Sequence, residues 1–358
     1  HPHHQRADAL SDTINQHPCQ HRLNNFQNRN AVMISLRHEL YFIAITCLYL
    51  MTSLCSYQSL TAQTKPIVER QPRVKVLPEM TDGIISEGSI IFNYVDQKRR
   101  RRLSLDVYRP NNPVGQSPAI VMYFGGGWQN GRPALFAPLA QALAQKGYVC
   151  IVPEYRLSGE APFPAAVHDA KAAIRWTRKH AKRFKIDTQK IASLGGSAGG
   201  HLAGFVATTT GSGKFEGTGE HQEVSSDVQA AIVMCGPMDL LDPESVKRVN
   251  AAAESHDGHA MIDFLQGETP NSNRDLYQTA SPVFHAGKQT PPILFIDGEK
   301  DNPGSRSKKL REVLNRHRIP NRLIVLPKAP HPFWVYQQWF QPTVDAVDVF
   351  LKEQWEDK

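Results

Sequence analysis

Cysteine is scarce in this 358-residue chain: there are five, and Cys19, Cys47 and Cys55 all fall near its beginning. The other two, Cys150 and Cys235, sit inside the apolar runs "GYVCIVP" and "AAIVMCGP", where a free cysteine behaves as a small core residue. A disulfide framework is therefore excluded as the organising device. Metal-ligand patterns are also missing. There is no H-E-x-x-H and no cluster of cysteines and histidines at ligand spacing, so no metal and no cofactor are expected. No internal repeat is present, and no apolar run reaches the roughly 20 residues of a membrane span.

Charge of one sign is in short supply too. The formal net charge is +7, and residues 1–62 hold four basic groups against Asp8, Asp12 and Glu39, leaving +6 on the rest. That excess is too diffuse for a nucleic-acid partner. Its one concentration, "KRRRR" (Lys98–Arg102), falls where a turn between two strands is expected. It reads as a solvated hairpin tip, with a surface patch for an acidic polymer as the sharper alternative. With 41% apolar and 21% charged residues, the chain has the composition of a globular protein rather than a disordered one.

Near the start, Met33–Thr64 combines Arg37, an apolar stretch from Leu40 to Leu54, and the small pair Thr61-Ala62. This is the pattern of a secretory signal peptide, placed at 33–62, with a retained signal anchor as the alternative. Neither Cys47 nor Cys55 follows a small residue, so a lipoprotein anchor is not expected. Residues 1–32, polar and aperiodic, read as a disordered upstream extension, 63–84 as a linker, and 85–358 as one catalytic domain. The expected location is outside the cytoplasm, secreted or periplasmic, without a stable membrane anchor.

In the domain, "GSIIFNYV" and "RLSLDVYRP" (102–110) alternate apolar and polar residues, as a half-buried antiparallel pair should. The later runs are apolar throughout: "PAIVMYF" (118–124), "GYVCIVP" (147–153), "KIASLGG" (190–196), "QAAIVMC" (229–235), "PPILFID" (291–297) and "RLIVLP" (322–327). Continuous apolar strands suit a parallel sheet buried on both faces. Between them, 163–184 places Val167, Ala170, Ile174 and Ala181 on one helical face, and 307–317 groups Leu310, Val313 and Leu314. The alternation predicts an α/β fold with about eight mostly parallel strands and helices on both faces. Residues 211–226 read as a loop, and 240–285 as a small cap insertion.

Four motifs follow four of these strands. "GGSAG" (195–199) fits G-x-S-x-G between an apolar strand and a plausible helix, the setting of a nucleophile elbow. By itself it is a weak signal, since a small-residue crossing of helix on strand would look the same. "YFGGGWQNG" (123–131) leaves backbone N–H groups of a glycine triplet free to meet an oxyanion. In "DGEKDNP" (297–303), Asp301 is placed as the acid that orients a histidine, with Asp297, Glu299 and Asp239 as competitors. "APHPFW" (329–334) holds His331 in a loop, unlike His317 at the end of an amphipathic helix or His201 in the helix after Ser197. His331 is therefore the expected general base. The order Ser197, Asp301, His331 is that of a strand-borne hydrolase triad, with Gly126, Gly127 and Ala198 as oxyanion donors. Trp128 and Trp334 are candidates to line an acyl pocket or stack on a sugar, or else core aromatics beside glycine loops.

"GGGW", "PEYRLSGEAPFPAAVHDAKAAIRW", "GGSAGGHLA" and "HPFW" make the chain resemble, from about residue 85 onward, the α/β-hydrolase esterases of the hormone-sensitive-lipase-like group, nearest to the bifunctional feruloyl and acetyl-xylan esterases (BD-FAE). The resemblance implies an α/β-hydrolase fold and hydrolysis of carboxylic esters, small or carried on acylated polysaccharide. It places the triad on Ser197, Asp301 and His331, and the oxyanion hole on Gly126, Gly127 and Ala198. Short-chain lipids, polyesters and aryl-formamides are alternative substrates, and a non-catalytic binding protein of the same fold is the alternative class. Two positions depart from the family's pattern: Phe124 replaces a histidine before the glycine triplet, and Asp297 replaces the histidine of a His-Gly turn.

Overall fold

The computed structural model describes residues 73–78, 82–95 and 101–355. The expected signal peptide, the upstream extension and Lys98–Arg100 lie outside them. Contacts divide the chain into His1–Gln71 and Pro72–Lys358, and the account below concerns the second unit.

Its eight described strands form one sheet: β1 (Ile84–Tyr94), β2 (Arg102–Pro110), β3 (Ser117–Tyr123), β4 (Val149–Pro153), β5 (Ile186–Gly196), β6 (Ala230–Met234), β7 (Ile293–Gly298) and β8 (Asn321–Leu326). The spatial order is β1-β2-β4-β3-β5-β6-β7-β8. β1 and β2 pair antiparallel, with Tyr94 opposite Arg102. β2 joins β4 antiparallel, and every pairing from β4 to β8 is parallel. β4, β6 and β7 are buried along their whole length, as continuous apolar strands require. β8 departs from this expectation. As the last strand it has a neighbour on one side only, and most of its residues stay partly exposed.

The crossover helices are α1 (Ala137–Gln145), α2 (Ala165–Lys179), α3 (Ala181–Phe184), α4 (Ala198–Thr208), α5 (Pro243–Glu254), α6 (Ala260–Phe264), α7 (Arg274–Thr279) and α8 (Lys308–Arg316), and α9 (Gln337–Trp355) closes the unit. The predicted face of 163–184 is buried at Val167, Ala170, Ile174 and Ala181. The expected cap segment, 240–285, carries α5, α6 and α7. α9 has no counterpart among the helices expected from the sequence; Pro342 lies inside it, and an internal proline costs a helix about 3 kcal/mol. Burial of Val344, Val347, Phe350 and Leu351 along one stripe outweighs that cost, at roughly 1.5–3 kcal/mol per fully buried large apolar side chain.

Parallel strands all end at the same sheet edge. The glycine triplet follows β3, Ser197 follows β5, Asp301 follows β7 and His331 follows β8, so four motifs spread over more than 200 residues converge on one rim. β3 lies between β4 and β5, where the strand order reverses, and α/β sheets bind ligands at such switch points.

Candidate active site

Ser197 sits between β5 and α4 with φ 57° and ψ −120°, a conformation that costs a side-chain-bearing residue of the order of 1–3 kcal/mol. The surroundings impose it. The Ser197 N–H donates to Met234 O at 2.8 Å, and Ser197 O accepts from His201 N at 3.0 Å. A β-carbon on Gly195 would be driven into the carbonyl of Gly199, and one on Gly199 into the carbonyl of Tyr123. Strand and helix can therefore meet this tightly only with glycine at both places, and the turn lifts Ser197 off the end of β5.

The triplet bends beside it. Gly126 has φ 137° and Gly127 φ 60°, and Gly126 O accepts from Gln129 N at 3.1 Å and Asn130 N at 3.0 Å. Among the described residues, the amides of Gly126, Gly127 and Ala198 have no acceptor. That of Ala198 is also the first N–H of α4, at the positive end of the helix dipole. The loop is held from one segment: Tyr155 Oη donates to Phe124 O at 2.8 Å, and Ser158 donates to Trp128 O from its amide at 2.8 Å and from its hydroxyl at 3.1 Å.

The four competing carboxylates separate cleanly. His331 Nδ1 lies 2.7 Å from Asp301 Oδ2. Asp239 is engaged by Lys309 at 3.0 Å, and Glu299 accepts from Lys328 N at 2.6 Å. Asp297 accepts from Gly304 N at 2.7 Å, clasping the loop that carries Asp301. Arg306 grips Asp301 from the other side, Nη1 on Oδ2 and Nη2 on Oδ1 at 3.0 Å. Burial would raise the Asp301 carboxyl, but the hydrogen bonds from His331 and Arg306, with the guanidinium's charge, outweigh it and hold the group well below the usual carboxylate range. Cys235 closes the cluster: one ligand atom each from Cys235, Asp301 and His331 lie within 4.8 Å of one another. The set is poor for a cation, since burial, with Asp297 and Asp301 adding to it, pushes the Cys235 thiol up, and Arg306 already neutralises the carboxylate.

Ser197, His331 and Gly125–Gly127 face a cavity of about 730 Å³, walled by Leu135, Phe136, Pro138, Trp334 and Val335. Trp334 thus lines the cavity and Trp128 does not. Trp128 is stacked on Phe264, centroids 4.5 Å apart, and edge-on to His201 at 5.3 Å. Another wall is Lys75–Pro78, part of the stretch expected to be a linker. It is tied down by Val76 N to Val335 O at 2.9 Å and Gln337 N to Val74 O at 3.0 Å. The alternation of Val74 and Val76 around Lys75 was the signal that could have found it. Arg306 had no signal at all.

A family model described as BD-FAE matches residues 105–314, more than half of the chain. The chain belongs to the BD-FAE family. The chain is 30% identical over 223 residues to the probable carboxylic ester hydrolase LipM of Mycobacterium tuberculosis, covering 62% of this chain and 48% of LipM. It is 29% identical over 262 residues to the esterase LipC of the same organism, covering 70% of this chain and 62% of LipC. The match therefore spans only about half to three-fifths of these curated relatives. Among solved structures, a truncated carbohydrate esterase from gut microbiota has a TM-score of 0.63 at 25% identity, over 78% of this chain and 99% of that one. Propionate-bound esterase Est2 of Thermogutta terrifontis has a TM-score of 0.59 at 29% identity, over 77% and 96%.

Against the BD-FAE pattern, both departures have a local structural replacement. Where a histidine was expected before the triplet, the Phe124 ring stacks on Tyr155 with centroids 4.3 Å apart. Where one was expected before Gly298, Asp297 supplies the carboxylate that closes the acid loop.

Proposed function

We propose that this BD-FAE protein is a serine carboxylester hydrolase acting through Ser197, His331 and Asp301. His331 takes the Ser197 hydroxyl proton as the oxygen attacks the ester carbonyl, and the amides of Gly126, Gly127 and Ala198 receive the oxyanion. Collapse of the intermediate returns that proton to the leaving alcohol. Water, deprotonated by His331, then hydrolyses the acyl-Ser197 ester and releases the acid. Asp301 holds the imidazole in the required tautomer and orientation. One observation carries this reading: His331, paired with Asp301 at 2.7 Å, shares a cavity with Ser197 and the triplet.

The apolar walls and the size of the cavity suit a short acyl or aryl group. Kinship with BD-FAE proteins and a carbohydrate esterase supports acyl groups borne by a polysaccharide, and the leader read at 33–62 supports export to where such polymers are met. The test compares wild type and Ser197→Ala on p-nitrophenyl acetate. A fall of about 10⁶-fold in kcat is expected for a lost nucleophile. Equal rates in both would remove Ser197 from the mechanism, and inactivity of the wild type would favour a binding protein. Release of acetate or ferulate from acylated xylan, set against tributyrin, a polyester and an aryl-formamide, discriminates the substrates.

A further inference from the structure

We infer that Arg306 is a positioning residue for the triad acid, setting both the orientation of Asp301 and the acid limit of activity. The inference rests on the triad reading above. A carboxylate that accepts one hydrogen bond from an imidazole can still rotate about its terminal torsion. Here it cannot do so freely, because the planar guanidinium engages both oxygens, the geometry in which arginine holds a carboxylate best. Asp301 Oδ2 is shared between His331 and Arg306. Arg306 is anchored in turn: its carbonyl accepts from Met238 N at 3.0 Å, and its side chain is 29% exposed.

The charge has a second effect. An imidazolium next to an ionised carboxylate is stabilised by it, and a guanidinium on the same carboxylate cancels part of that field. The other ionisable groups around Asp301 are Asp297 at the end of β7, bound to Gly304 N, and the thiol of Cys235 beyond β6. Arg306 is thus the cation in the cluster besides protonated His331, among the described residues. Removing the Arg306 charge leaves the field of the carboxylate on an imidazolium unopposed, so the acid limb of activity should move upward.

The experiment measures kcat/KM against pH with p-nitrophenyl butyrate for wild type, Arg306→Met and Arg306→Lys. For Arg306→Met the acid limb should rise by about one pH unit, and the plateau kcat should fall about tenfold, with KM little changed. Arg306→Lys should restore the limb through its charge but recover kcat only in part, since an ammonium lacks the two-pronged fit. Wild-type limb and plateau in Arg306→Met would overturn the inference. The His331 ring is also titrated by NMR in Ser197→Ala and in Ser197→Ala with Arg306→Lys or Arg306→Met. This readout needs no turnover, so it judges the clamp even if the hydrolase reading fails. The midpoint should rise when the charge is removed and hold with lysine, and coincident midpoints in all three would again overturn it. If the methionine variant does not fold, Arg306→Gln supplies the neutral arm of both measurements.

Discussion

Tyr155 lies nearly parallel to Phe124, with ring centroids 4.3 Å apart and an interplanar angle of 19°, while its hydroxyl donates to the Phe124 carbonyl at 2.8 Å. One residue therefore holds both the side chain and the backbone of the last position before the glycine triplet. Burial pushes the phenol far up, so it remains a donor at every working pH. Tyr155→Phe keeps the stack and strands the carbonyl, which should cost about 1–3 kcal/mol of stability. Because that carbonyl anchors the loop bearing Gly126 and Gly127, kcat on p-nitrophenyl acetate should fall several-fold with KM little changed. An unchanged kcat together with the stability loss would show that the Gly126–Gly127 loop holds its shape without this tie.

His201 gives the fold a dependence on pH. Burial drops its pKa to about 4, against a smaller upward pull from its hydrogen bond to Ala280 O. The unfolded chain binds a proton near pH 6.5, so the native state binds fewer protons between those values. The contribution is complete above about 6.5 and is lost as pH falls toward 4. Between pH 7.5 and 5 it should amount to about 2 kcal/mol. His168, His259 and His285 are shifted in the same direction, burial being the largest cause in each. Urea midpoints of wild type and His201→Gln at the two pH values isolate the one residue: the variant should lose less on acidification, and parallel losses would refute a neutral His201.

Glu216 answers two cations at once. Lys171 and Arg175, each with a side chain only 1% exposed, meet its carboxylate at 2.6 and 2.7 Å. Removing one partner of a buried pair costs about 3–5 kcal/mol, because it leaves uncompensated charge behind. Glu216→Ala should therefore lower the urea midpoint sharply, and Glu216→Gln, which keeps an acceptor, should do so less.

Gly199 and Gly159 form a matched test of the elbow. A methyl on Gly199 would run into the backbone carbonyl of Tyr123, whereas one on Gly159 meets nothing within 4 Å. No rotamer change can relieve a clash with backbone, so Gly199→Ala should be insoluble or inactive. Gly159→Ala should match wild type in thermal midpoint and in esterase rate. Normal activity in Gly199→Ala would mean that α4 can slide away from β3 without disturbing Ser197.

What local chemistry dictates was readable along the chain. Apolar runs of strand length mark a parallel sheet, and parallel strands deliver whatever follows them to one rim. That is why Ser197, the triplet and the turns after β7 and β8 could be brought together on paper from the α/β pattern and four short motifs. The family also followed from such segments, because "PEYRLSGEAPFPAAVHDAKAAIRW" and "GGSAGGHLA" are contiguous.

What depends on distant parts meeting was not readable in the same way. Asp239, Asp297, Glu299 and Asp301 look alike as carboxylates at or just beyond strand ends, and the structure distinguishes them by which hydrogen bonds each finds: Lys309, Gly304 N, Lys328 N or His331. Trp128 and Trp334 each stand beside a motif and are equally buried, yet Trp128 stacks its ring on Phe264 while Trp334 also lines the cavity. Helix α9 survives its proline because a buried stripe elsewhere compensates. Arg306 and the Lys75–Pro78 wall acquire their places only through contacts across the fold. Periodicity records which face of an element is buried, but the identity of the neighbour is a property of the assembled sheet and its loops.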